Sequence, residues 1–270
     1  VVLDVSGNTV YNSTVSIGAT ASAGNGAVLS GGTAVAASSG SLTFAALKLT
    51  GKVGDYTITY AATGLTSATE TVTLTYGAAT KLGISTQPVG GNAAGSNLTT
   101  QPVVEVQDAD GNRVSVSTAV VSVAVDNDAT GSLSEGSTSA TASAGVATFS
   151  GVKLVGTPGA NYKLAFSASG LTGVSSSAIT VTHAAADHLD ITNGAGGARA
   201  GIALTAQPVV TLKDRYGYTV TSGTASTQKV NAGVTVGTLS GTTQVSLVAG
   251  VGTFTNLKLD GTVGSYRFTY

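Results

Sequence analysis

The chain is 270 residues long, with 12 Lys+Arg against 13 Asp+Glu, so 9% of it is charged and the net charge is -1; an ordinary soluble protein is about 25% charged. With no basic block there is no electrostatic footprint for nucleic acid or an anionic membrane, and with no cysteine there is no disulfide, thiolate metal site or thiol nucleophile. Apolar residues still make up 42%, enough to bury cores, and no apolar run approaches the ~18 to 20 residues of a membrane helix.

The first elements in chain order are a turn at Asp4-Val5-Ser6-Gly7-Asn8 and a later stretch, Gly40–Leu49, that reads GSLTFAALKL. A strand follows at Gly54-Asp55-Tyr56-Thr57-Ile58-Thr59-Tyr60. A second series opens at Thr80-Lys81-Leu82-Gly83-Ile84, after a short connector Gly77-Ala78-Ala79. It continues through Val104-x-Val106, the turn Asp108-Ala109-Asp110-Gly111-Asn112, Val121-x-Val123-x-Val125, GVATFSGVKL at Gly145–Leu154, and Tyr162-x-Leu164-x-Phe166. After His183-Ala184-Ala185-Ala186 a third series opens at Asp187-His188-Leu189-Asp190-Ile191. It runs through Asp214-Arg215-Tyr216-Gly217-Tyr218 and Val245-x-Leu247 to GVGTFTNLKL at Gly250–Leu259. Period-two alternation punctuated by Gly, Asn, Asp and Ser marks half-buried strands, and no stretch holds a capped helical period.

Gly40, Gly145 and Gly250 lie 105 residues apart, as do Phe44, Phe149 and Phe254. A period of that length is a whole domain. The expected division is 1-78, lacking its first strand, 79-184, complete, and 185-270, lacking its last strand, as in a segment of a longer array. Alternation slips phase between Phe149 and Val152, and between Phe44 and Leu47, which predicts a bulge or bend there. Tyr56, Tyr162 and Tyr266 stand where a tyrosine corner of an immunoglobulin-type sandwich would be. Pro102 and Pro208 precede matching strands, and Pro88 falls in a loop. The expected fold class is all-β: tandem immunoglobulin-like Greek-key sandwiches.

Leu82-Gly83-Ile84-Ser85-Thr86-Gln87-Pro88, Thr100-Gln101-Pro102-Val103-Val104-Glu105-Val106-Gln107-Asp108 and Gly170-Leu171-Thr172 resemble the tandem bacterial Ig-like repeats of large secreted surface proteins, such as adhesin stalks, invasin-like rods and S-layer or filament proteins. The resemblance spans essentially the whole chain. It implies an extracellular, cell-surface location and a structural or adhesive role, and neighbouring copies of the same protein, cell-surface components or glycans as partners.

Asp108 and Asp110 open like a calcium loop, but an EF-hand needs Glu at its twelfth position, where Ala119 stands. The other copies keep the first Asp and the Gly and lose the remaining carboxylates, which is hairpin-turn chemistry. Asp126 and Asp128 form a second carboxylate-rich turn, with calcium again the alternative to a plain turn. His188 between Asp187 and Asp190 reads as a polar strand entry, since no nucleophile is positioned for a triad, and His183 as a hinge residue. Arg215, Tyr216 and Tyr218 replace polar turn residues and are candidates for glycan stacking or a subunit contact. The sequons at Asn12 and Asn97 are taken as chance. No residue set suits a cofactor or an enzyme. The leading expectation is a non-catalytic, semi-rigid rod, filament or lattice; the alternative is an adhesive module gripping a glycan or host protein through end loops.

Overall fold

The structure is a computed structural model that describes residues 1–22, 24–90, 93–126, 130–134 and 136–270. Among these, all regular structure is strand, apart from 3-10 turns at Gly24–Gly26 and Thr224–Thr227. Among the described residues every ladder between two strands is antiparallel and joins residues within 1–78, within 79–184 or within 185–270; isolated bridges include parallel ones.

The middle segment shows how the alternation is used. One sheet orders Val146–Thr148, Val103–Gln107 and Lys81–Thr86; the other orders Ser139–Thr141, Val120–Val125, Leu164–Ser167 and Val174–Ser175. Alternate residues of each strand turn inward. Val104 and Val106 of the first sheet meet Val121, Val123, Leu164 and Phe166 of the second in one buried cluster, the two-layer arrangement of a sandwich. Phe149 and Phe166 close it, with ring centroids 5.4 Å apart and tilted. The opening strand also bridges in parallel to the far side, Lys81 to Thr172. A second cluster, containing Val210, Leu247, Phe254 and Leu257, lies within 185–270.

The phase slip after Phe149 has a different cause from a bulge. Val146–Thr148 pairs with Val103–Gln107, whereas Lys153–Val155 pairs with Ser132–Ser134, so the chain changes partner between them. Phe149 and Val152 are both buried on either side of the crossing. A polar side chain secures it: Gln101 accepts the Val152 amide at 2.8 Å and donates to the Leu98 and Val152 carbonyls. Gln207 repeats these contacts at Leu204 and Leu257. A true register shift occurs elsewhere, between Ile84 and Thr86.

Three local geometries recur at the repeat spacing. Ser39-Gly40, Ala144-Gly145 and Ala249-Gly250 all have positive φ at both residues, the mark of a type I′ hairpin turn. Aromatic pairs Phe44–Tyr60, Phe149–Phe166 and Phe254–Tyr270 stand 5.7, 5.4 and 5.7 Å apart. The tyrosine hydroxyls bond back to nearby backbone: Tyr56 donates to Lys52 O at 2.5 Å, Tyr162 accepts from Thr157 N at 2.7 Å, and Tyr266 donates to Thr262 O.

The hairpin turn supplies a test. Ala144 holds φ 49, a conformation costly for alanine and readily adopted by Asn. Ala144→Asn should therefore raise stability by about 1 kcal/mol. A Cβ at Gly145 would overlap the Val114 carbonyl oxygen, so Gly145→Ala should cost roughly 2 kcal/mol or more. Urea unfolding of both variants measures the pair of opposite signs.

Candidate functional site

Three aspartates organise the ends of the segments. Asp4 Oδ1 accepts the amides of Ser6 and Asn8, each at 2.9 Å. Asp108 Oδ1 accepts the Asn112 amide at 2.8 Å, and Asp214 Oδ1 accepts those of Tyr216 and Tyr218 at 2.9 Å. The backbone closes each turn in the same way: Gly7, Gly111 and Gly217 donate to the aspartate carbonyl and carry φ near +80°, where a side chain would strain.

The second carboxylate oxygen has another task. Asp108 Oδ2 accepts the amide of Gly77, in the connector before the middle segment, at 2.8 Å. Asp214 Oδ2 accepts the amide of Ala184, in the next connector, also at 2.8 Å. Asp108 and Asp214 are buried, whereas Asp4 is exposed. Burial pushes the Asp108 carboxyl upward, but donors from Gly77, Asn112 and Asp110 outweigh it and hold the group below its ordinary range.

Side chains complete each joint. Asn112 donates to Gly51 O at 2.9 Å and accepts the Val53 amide at 3.0 Å. Lys52 Nζ donates to the carbonyls of Asp110 and Gly111 at 2.9 Å, and Lys81 Nζ to Ala109 O at the same distance. At the second joint Tyr216 packs, half-buried, against the core of the middle segment. Arg215 lies over its ring, 4.7 Å from the centroid, and donates to its hydroxyl. His183 Nε2 meets the Ser222 hydroxyl at 2.8 Å and its Nδ1 meets Ala184 O at 2.9 Å, tying connector to segment.

The candidate residues are thus distributed unequally. Asp108 is a latch whose lone pairs are met by N–H donors. Asp110 is exposed and contributes its backbone carbonyl; Asp126 is half-buried at a strand end, 2.8 Å from Lys163 O through its amide. Asp128 lies outside the described residues. Among the described residues no three His, Cys, Asp or Glu side chains cluster as metal ligands. Tyr216 and Tyr218 are half-buried rather than exposed, because both belong to the turn at the second joint. His188 pairs locally with Asp187 at 2.9 Å, both exposed. The bonding roles of Lys52 and Gln101, and those of Gly77 and Ala184 within the connectors, escaped sequence reasoning. The recurring first Asp of the turn was the one signal that pointed towards them.

No protein-family model matches the chain, and no curated protein does. Among solved structures it is similar over 62% of its length to a β-glycosidase from Bacteroides vulgatus, at 14% identity and a TM-score of 0.32. Over 63% it is similar to β-glucuronidases from Parabacteroides merdae (16%, 0.28) and Bacteroides uniformis (15%, 0.27). The chain spans 21% of each of these proteins, and likeness at that level carries nothing about activity. No helix among the described residues is long and apolar enough to cross a membrane.

Because the folded carboxyl of Asp108 sits below its unfolded value of about 3.9, its contribution is full above that pH and fades as pH falls through the lower folded value. The Gly77 and Asn112 amide shifts should titrate together with a midpoint below about 4, and Asp108→Asn should abolish that titration. A midpoint in the ordinary carboxylate range would show the latch unmade. Calcium or a chelator should leave the unfolding midpoint where it is, and a rise with calcium would restore the metal reading.

Proposed function

We propose that the chain is a non-catalytic structural segment of a large extracellular bacterial surface protein, built as a semi-rigid rod, filament or lattice of three Ig-like domains at 1-78, 79-184 and 185-270. The observation that carries this reading is the recurrence of one joint. At both connectors a turn aspartate holds its own loop with one oxygen and the incoming chain with the other. Connectors of three or four residues restrict swivel. A buried carboxylate that receives several N–H donors resists bending further, because opening the joint removes its partners.

The surroundings of the joints fit that role. Of the side chains able to stack on a glycan, Tyr216 packs against the neighbouring segment's core and Arg215 lies over the Tyr216 ring, and this favours the scaffold over the adhesive alternative. Low charge suits a surface whose hydration comes from Ser, Thr and Asn, and which packs against its own kind without strong repulsion.

Small-angle scattering tests the rod. The wild-type chain should give an elongated profile with a sharp maximum dimension, and the Asp108→Ala/Asp214→Ala double variant a broader, bent distribution with its β-sheet signal intact. Indistinguishable profiles would remove the latches from the explanation, and a compact wild-type particle would remove the rod.

A further inference from the structure

Both joints lie in the interior of the chain and share the aspartate latch, but they differ in what surrounds it. Across the first, four hydrogen bonds tie the body of the first segment to the turn of the second. Lys52 Nζ donates to Asp110 O and Gly111 O, each at 2.9 Å. Asn112 Nδ2 donates to Gly51 O at 2.9 Å, and the Val53 amide donates to Asn112 Oδ1 at 3.0 Å. Asn112 is buried, so bending at this joint would strand its amide without partners. Lys81 Nζ, at the start of the entering strand, braces the same turn through Ala109 O.

The second joint has different chemistry in the same places. Thr157 stands for Lys52, Tyr218 for Asn112 and His188 for Lys81, and Pro158, in the place of Val53, has no N–H to donate. The four bonds of the first joint have no counterpart here among the described residues. His188 pairs with its neighbour Asp187. The hydrogen bonds described across this joint start from the connector: the Ala184 amide to Asp214, and the His183 ring with Ser222. Body meets body through Tyr216, which packs against the middle segment's core with its hydroxyl in the space that a Cβ on Gly95 would fill. Apolar packing is non-directional, so a ring slides over a glycine with little loss, whereas an N–H···O bond weakens steeply once its angle opens.

Two further features give such a movement room. An open hollow of about 470 Å³ lies between the loop Ala93–Ser96 and the connector Ala184–Asp187, with Arg215 in its wall. The strand entering the third segment shifts register directly after the connector, between Ala186 and His188, whereas the strand entering the middle segment holds register from Lys81 to Ile84. A register shift breaks the ladder locally and lets a strand bend. We propose that the two joints are unequal, the first fixed and the second a hinge at which the chain bends towards the hollow beside Gly95. The Asp214 latch keeps the amplitude small. The inference rests on the reading of 1-78, 79-184 and 185-270 as successive units of a rod, and it assigns the rod's compliance to one place.

Because the chain has no cysteine, introduced thiols carry spin labels at chosen sites alone. Labels on Thr71→Cys/Ser122→Cys span the first joint and labels on Ser122→Cys/Ser246→Cys the second, all at exposed strand positions. Pulsed dipolar spectroscopy of the full chain should give a distance distribution about twice as wide across the second joint as across the first. Lys52→Ala, a change at an exposed side chain, should widen the first distribution and leave the second as it was, and adding Asn112→Ala should widen it further. Equal widths, a wider first joint, or a first distribution indifferent to both substitutions would overturn the proposal. The rod reads out separately: two equally narrow distributions remove the hinge and leave the rod, whereas two equally broad ones remove both.

Discussion

A carboxylate taken out of water where two stretches of chain meet is stable only if donors surround it. In a chain with so few charges, Asp108 and Asp214 are buried side chains whose oxygens accept backbone amides from their own turns and from the incoming connectors. That requirement couples three things that the sequence presents separately: the glycine that lets the turn close, the short connector whose amide must arrive at the right height, and the neighbouring surface that covers the turn. The pull of several donors, stronger than the burial that opposes it, keeps Asp108 ionised. The same arrangement explains why aspartate recurs where its neighbours drift, since only the carboxylate has an oxygen for each side.

Behind the joints stand the two-layer interiors, and their order depends on the chain crossing between sheets without leaving a polar gap. The crossing after Phe149 exposes backbone groups that no ladder can pair, and Gln101 answers them with donor and acceptor at once. Gln207 does so in the third segment. The tyrosine hydroxyls serve a similar purpose at the loops before the last long strands. Buried apolar contact supplies most of the stabilisation, and a few well-placed polar side chains decide which chain path that burial selects. The low charge of the chain leaves this work largely to amides and hydroxyls.

Much of the fold was legible from residues alone. Alternation at Val104–Val106 and Tyr162–Phe166 marks faces that the core then uses, and the tyrosines stand where their hydroxyls bond backward. The slip at Phe149 was visible as a slip, but a one-dimensional pattern does not distinguish a bulge from a change of sheet, because both reverse the inward side. The candidate site was less legible. Asp108 looked like a turn residue with a calcium alternative, and its Oδ2 bond to Gly77 joins residues 31 positions apart. Tyr216 and Tyr218 looked like exposed contact residues because a turn is normally exposed; both are half-buried, and Tyr216 packs against the core of the middle segment.

The repeat spacing, the strand faces and the positions of the glycine turns follow from local rules of backbone conformation and period-two patterning, so the amino-acid order by itself determined them. Partner choice at the crossings, the oxygen-by-oxygen satisfaction of the aspartates and the half-burial of Tyr216 and Tyr218 were decided only in three dimensions. Those contacts join surfaces far apart along the chain, and their energies depend on distances and desolvation that no local pattern encodes.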